Sequence, residues 1–489
     1  MSNPIPALAI CLPLLGALLV LANKDRPNLR DGISLVTTVL LFFLVLSLYG
    51  PVMAGEQPAW QFISPIPGLA MGFRVEPLGL MFATVASGLW IVTTVYAIGY
   101  MRRNKEKRHT MFFFCFAVAI AAAMGVAFSA DLLTLFVFYE ALTLSTYPLV
   151  AHKQTKEARR GAKIYLAFLL TTSIGLLLVA IIATYATAGT LQFTPGGVLT
   201  DKLSVTGLTI LVCLFCFGIG KAALMPVHRW LPSAMVAPTP VSALLHAVAV
   251  VKAGVFTIVK VVVYIIGVDN LAQTGAGDIV LWTAAFTLTF ASVIALRKDN
   301  LKARLAYSTV AQLAYVVLGA MLANSAGLLG ASMQIPMHAV GKITLFFCAG
   351  SIYVATHKTE ISQLDGLGHR MPFTFAAFFI GSVSIIGLPP MGGAWSKWFL
   401  LMGTADAQQW ILMGLLLLSS LMNIAYLLPI VGRGFFRPLP AEEAARLPAG
   451  TIEESPMTCV IPLSVTAAGC VALFLYADAI HDFLLPLFP

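Results

Sequence analysis

Seven residues of this chain bring acid–base chemistry into apolar surroundings: Glu140, Lys221, His246, Lys252, His338, Lys342 and Lys397. An ionisable group at bilayer depth costs on the order of 2.5–3.5 kcal/mol even on the gentlest insertion scale, so such groups are kept where they pair or carry charge. Glu140 has no basic residue within a helical turn, and its natural partner is Lys221 on another helix. At 4 Å and an effective dielectric of about 20, such a pair is worth roughly 4 kcal/mol. Lys252 lies too deep in its apolar run to snorkel, and it is six residues from His246, a spacing that an undistorted helix does not place on one face. His338 and Lys342 are four apart and share a face, where an imidazole passes protons near neutral pH. Lys397 is the second-half counterpart of Lys221, whereas Asp131 reads as an interfacial helix cap. The expected chemistry is proton relay along a polar axis in the membrane plane.

The elements that must hold this axis are spanning helices. Apolar runs of about 20 residues recur throughout, near 5–22, 32–52, 77–100, 110–129, 131–151, 163–187, 204–223, 239–267, 278–296, 304–323, 326–355, 372–402, 409–432 and 457–480. The expected fold is an all-α polytopic membrane protein of about fourteen transmembrane helices. Basic residues such as Arg102, Arg103, Lys153, Lys156, Arg297, Lys298, Lys358 and Arg433 fall in every loop after an odd-numbered span. That alternation places the basic loops in the cytoplasm and both termini on the outer side of the inner membrane. Proline interrupts two spans beside a lysine: Pro226 and Pro232 near Lys221, and Pro389 and Pro390 near Lys397. Proline removes a backbone donor, and a broken helix at membrane depth survives only where protein or water satisfies its carbonyls. Paired broken helices suggest two inverted five-helix repeats, spans 4–8 and 9–13. The expected organisation is 1–109 for three N-terminal helices, 110–267 and 278–432 for the repeats, and 433–489 for a cytoplasmic loop and last helix.

Composition narrows the function. The chain has 489 residues, 59% of them hydrophobic and only 10% charged; soluble domains carry about 25% charge. The net charge of +9 sits in short interhelical clusters, so nucleic-acid binding is not expected. Cys213 and Cys216 form a C-x-x-C within an apolar helix, with no second pair to complete a zinc or iron–sulfur site. No glycine-rich nucleotide motif is present. The expectation is no metal and no cofactor in this chain.

Several stretches then resemble one family. Phe138-Tyr139-Glu140, residues 220–232, the run from Ala237 to His246, Lys302 through Gln312, His338 through Gly350, and Gly387-Leu388-Pro389-Pro390 with Ser396-Lys397-Trp398 are similar to the antiporter-like membrane subunits. That family is shared by Mrp-type cation/proton antiporters, respiratory complex I and membrane-bound hydrogenases. The resemblance covers roughly residues 70–440 in the family's order and is strongest to the D-type Mrp subunit. It implies that Glu140, Lys221, His246, Lys252, His338, Lys342 and Lys397 carry protons, with other membrane subunits as partners and protons, with Na+ or K+, as cargo. The alternative is a proton-pumping M- or N-like arm subunit of an NADH-quinone oxidoreductase or an energy-converting hydrogenase complex.

Overall fold

A computed structural model describes residues 3–66, 69–244, 249–441 and 451–488. Helix dominates, at 78% of the chain. The first pair, α1 (Ile5–Ala22) and α2 (Pro27–Leu46), is followed by a short α3 (Tyr49–Met53). A hairpin of β1 (Ala59–Ile66) and β2 (Leu69–Arg74) precedes α4 (Pro77–Arg103), α5 (His109–Phe128) and α6 (Leu132–Val150). Next come α7 (Lys156–Thr172) and α8 (Leu178–Ala188), joined by a π-helical turn at Ser173–Leu177. The centre holds α9 (Val205–Gly218), α10 (Trp230–Ser233), α11 (Thr239–Ala243), α12 (Val250–Val261) and α13 (Val268–Thr274). Then follow α14 (Asp278–Arg297), α15 (Leu301–Met321), α16 (Ser325–Thr356), α17 (Pro372–Ile386), α18 (Gly393–Asp406) and α19 (Trp410–Phe436). Two last helices, α20 (Met457–Leu475) and α21 (Ala477–Leu484), close the chain.

Helix starts follow local chemistry. Asp131, Thr155, Ser204, Asn300 and Asn324 each accept a backbone N–H from the first turn of α6, α7, α9, α15 and α16. Pro27, Pro77 and Pro372 occupy the first turns of α2, α4 and α17, where a missing N–H costs nothing. Asp131 is therefore the cap its position suggested.

Among the described residues, ten helical stretches are long and apolar enough to cross a membrane, or eleven if α12 and α13, bent by 84°, count as one span. The expected fourteen exceeds this because some runs are divided or diluted. Apolar α9 and α17 are only 14 and 15 residues long before they stop, short of the roughly 20 residues a bilayer needs. Helix α15 is long, but Lys302, Arg304, Ser308, Thr309 and Gln312 dilute it. The hairpin is a second departure from the all-α expectation. Its antiparallel strands are held by Trp60 stacked on Phe73 at 6.3 Å, and Phe73 also meets Phe138 of α6 at 5.5 Å.

Both lysine-flanked helices are interrupted, but not always at the prolines. Helix α9 ends at Gly218, and Lys221 occupies a 3-10 turn at Gly220–Ala222, ahead of Pro226. Pro232 breaks nothing: it lies inside the short α10, within a first turn that tolerates it. In the second half α17 stops at Ile386, Gly387 takes a φ of +88° that glycine adopts without strain, and Pro389 and Pro390 fill the turn before α18. The run 239–267 is not one continuous helix either, since α11 ends at Ala243 and Ala249, just before α12, has non-helical angles. His246 lies outside the described residues.

The fold has two chemically distinct ends. At one, the hairpin joins the loops 129–131, 189–204 and 264–267 through Gly72 N–H to Asp131, Thr194 N–H to the Tyr264 carbonyl and Val198 N–H to the Ile265 carbonyl. The basic loops gather at the other end, where Leu301 N–H meets the Thr359 carbonyl, Arg433 pairs with Asp365 at 2.8 Å, and Arg102 pairs with Asp31 at 2.6 Å.

Candidate functional site: a buried row of lysines

Four lysines and one histidine of the expected row are buried in the helix core. Lys221, Lys252 and Lys342 are 0% exposed, His338 is 2% and Lys397 is 7%. A charge at such depth needs oxygen or nitrogen partners, and each ammonium has them.

Lys221 reaches α6. Its Nζ donates to the Tyr139 carbonyl at 2.8 Å and to Thr143 Oγ1 at 2.6 Å, and it sits 3.2 Å from the centre of the Tyr139 ring. Its backbone N–H donates to the Tyr139 hydroxyl. The 3-10 turn makes this possible, because it swings Lys221 out of the α9 axis toward α6. Close packing from behind fixes the turn. A Cβ on Gly254 of α12 would lie 2.4 Å from the Ala222 backbone nitrogen and 2.5 Å from the Lys221 carbonyl carbon.

The expected direct Glu140–Lys221 pair is not formed. Both Glu140 carboxylate oxygens are buried without a hydrogen bond, and Lys221 feels the carboxylate only through space. Glu140 follows Tyr139 by one residue, and so projects about 100° around the helix from the side that Lys221 contacts.

Lys252 of α12 is hydrogen-bonded to Nδ1 of His338 on α16. This contact joins two of the expected residues across different helices. His338 and Lys342 share the continuous helix α16, four residues apart as their spacing suggested. Lys342 turns to α15, donating to Ser308 Oγ at 2.6 Å and the Leu305 carbonyl at 3.3 Å. Lys342 lies within electrostatic reach of both Lys252 and Lys397. Lys397 donates to the Ile386 carbonyl, freed by the α17 break, and to Ser420 Oγ, both at 2.9 Å. It also sits 4.8 Å from the Tyr315 ring, beside a cavity of about 10 Å³, close to the space one water needs.

Sequence reading missed the neutral groups that link these charges. The Tyr426 hydroxyl donates to Ser308 Oγ at 2.9 Å and also bonds Asn423. Gln334 Nε2 donates to Gln312 Oε1 at 2.8 Å, and Ser396, next to Lys397, donates to Gln334 Oε1. The one available signal was the four-residue spacing of Ser308 and Gln312 inside a motif already singled out.

The basic end carries a cavity of about 240 Å³ whose lining includes Tyr100, Lys153, Thr239, Lys302, Tyr353 and Thr359. Lys302 Nζ donates to the Ala237 carbonyl at 2.6 Å, just before α11. Nearby, burial pushes the His152 imidazole down to about 4, so it is neutral at physiological pH and adds no charge to this end.

The model for the NADH:quinone oxidoreductase/Mrp antiporter transmembrane family matches residues 129–423, which include every buried lysine and histidine of the row just described. NADH-quinone oxidoreductase subunit N of Desulforudis audaxviator (strain MP104C) is 29% identical over 493 residues, covering 98% of this chain and 97% of that protein. Subunit L from Mycobacterium tuberculosis is 30% identical over 482 residues, covering 95% of this chain and 74% of that protein. The chain belongs to the NADH:quinone oxidoreductase/Mrp antiporter family.

Two solved structures share the fold of this antiporter-like subunit. One is a chain of the membrane-bound sulfane sulfur reductase, an archaeal respiratory membrane complex, with a TM-score of 0.87, 22% identity and coverage of 99% of this chain and 97% of that one. The other is a chain of the Mrp complex from Dietzia sp. DQ12-45-1b, with a TM-score of 0.87, 20% identity and coverage of 99% and 96%. This family member is thus a multi-pass membrane protein with the family's fold along its whole length. The matched segment starts at residue 129, so α1 to α5 and the hairpin lie outside it.

Proposed function

We propose that this chain is a proton-translocating subunit of a multi-subunit membrane complex, with Glu140, Lys221, His246, Lys252, His338, Lys342 and Lys397 as the carriers. The observation that carries the reading is the Lys252–His338 hydrogen bond, a buried contact between two titratable groups on α12 and α16. A neutral imidazole nitrogen accepts a proton from an ammonium, and the resulting neutral amine accepts one from its other side. Protons enter from the basic end through the cavity beside Lys153 and Lys302 and pass along the row. By the positive-inside rule that end is cytoplasmic, with both termini outside an inner membrane.

The finer reading is a D-type Mrp-like subunit of a monovalent cation/proton antiporter, itself built of two inverted five-helix repeats, 110–267 and 278–432, and assembled with other membrane subunits. Lys397 at the second break supports it, since M-type arm subunits resemble this chain but carry glutamate there. The second reading is a proton-pumping arm subunit of a quinone-reducing complex. The names of the relatives, subunits N and L, support that one. The test uses vesicles carrying the whole complex. Cation-driven dissipation of a pH gradient that is lost in Lys221→Ala supports antiport. Proton movement that appears only with a reductant and quinone supports the arm subunit. Unaltered exchange in both Glu140→Ala and Lys221→Ala ends the assignment of those roles.

A further inference from the structure

Lys260 and Glu76 form a buried ion pair at the hairpin end, apart from the row. Lys260 Nζ lies 2.7 Å from Glu76 Oε1, and both residues are almost wholly buried, at 1% and 4% exposure. Glu76 precedes α4 in the position of a cap, yet its side chain makes no capping bond. A carboxylate there would ordinarily satisfy the orphan N–H groups of the first turn. Here it is turned toward α12 instead.

The surroundings mix polar groups with aromatic rings. Lys260 also donates to the Ser129 carbonyl at 2.8 Å and lies 4.5 Å from the Phe193 ring. Arg74 of β2 donates to the Phe193 carbonyl. Asp131 stands nearby but is committed to Thr134 and Gly72. Tyr264 faces Glu76 from the π-helical turn Val262–Ile266 that follows α12. Such turns mark functional sites more often than ordinary helix does. Just beyond Phe193, residues Thr194, Pro195 and Gly196 are exposed.

Lys260 shares α12 with Lys252, eight residues or about 12 Å away along the axis. Thr257 lies between them, buried and one turn from Lys260. A purely structural ion pair has no need to lie on the helix that carries the central lysine, or to leave its carboxylate out of the cap.

We propose that Glu76 and Lys260 form the terminal proton-release relay, passing protons from the lysine row to the surface at the hairpin end; this rests on the proton-translocation reading above. The Lys260 ammonium gives its proton to the Glu76 carboxylate, leaving a neutral amine and a carboxylic acid. The acid releases its proton to water at the hairpin end. The amine then takes the next proton from the Lys252 side, through Thr257 and water, and the ammonium–carboxylate pair is restored.

The test uses the whole complex in vesicles, with Lys260→Arg. Arginine keeps the charge and the pair but does not give up its proton. The expected result is normal assembly with proton transport reduced tenfold or more. Wild-type transport in Lys260→Arg, with loss in Lys252→Met, would overturn the relay and leave the row intact. Wild-type transport in both would remove the row and the relay together. The double variant Glu76→Gln/Lys260→Met is the second probe, because replacing both partners of a structural pair is often neutral. An assembled but inactive double variant supports the relay, and an active one overturns it. Failure of both variants to assemble makes the pair structural and overturns it as well.

Discussion

At the residue scale, Lys221, Lys342 and Lys397 are each held by a backbone carbonyl and a hydroxyl, and Lys252 by an imidazole nitrogen. Lys221 illustrates this with one carbonyl and one hydroxyl. A hydrogen bond to a charged group contributes about 1.5–3 kcal/mol. Thr143→Val removes one of the two and should slow proton transport by about tenfold in an assembled complex, with Thr143→Ser restoring it; a pH-sensitive dye inside vesicles reads both. The buried lysines themselves were legible because a lysine in an apolar run is conspicuous. Their partners were not, because Thr143, Ser308 and Ser420 are ordinary helix residues until tertiary packing brings them to an ammonium. The same limit hid the contacts between helices. Four-residue spacing put His338 beside Lys342, but it could not reveal that Lys252 from another helix takes the imidazole. Glu140 and Lys221 are near in charge but not in contact, since one residue of helix rotation separates Tyr139 from Glu140.

At the element scale, interruption does the positioning. The break after Gly218 frees Lys221 to reach α6, and the break after Ile386 offers a carbonyl to Lys397. Proline placement revealed both breaks, although the first begins at Ile219, seven residues before Pro226. Pro232 shows why proline alone misleads: in a first helical turn it is compatible with helix. The hairpin escaped a reading tuned to runs of about 20 apolar residues, because its strands have only eight and six. Gly254 tests the positioning role directly. A side chain there meets backbone of Ala222 and Lys221, which cannot step aside. Gly254→Val should lower stability by about 1–3 kcal/mol, the usual cost of overpacking, and should depress transport further than stability alone explains. Thermal unfolding of the detergent-solubilised complex, compared with its transport rate, separates the two effects.

At the scale of the whole molecule, a proton path needs two different ends and a middle of titratable groups shielded from lipid. The basic end supplies a lysine-lined cavity of about 240 Å³. The middle holds Lys221, Lys252, His338, Lys342 and Lys397 among helices long and apolar enough to span a membrane. The hairpin end holds the Glu76–Lys260 pair. Alternation of basic loops made the two ends visible in the sequence before any helix was placed, since charge in loops is independent of packing. The number of spans was less accessible, because half-helices around a break are each shorter than a bilayer. Lys252 joins the middle to the hairpin end: it bonds His338, neighbours Lys342 in charge, and shares α12 with Lys260. The decisive measurement is therefore the initial rate of proton transport by the assembled complex in sealed vesicles carrying Lys252→Met. A drop of tenfold or more with normal assembly is the predicted result; transport at the wild-type rate would contradict the account.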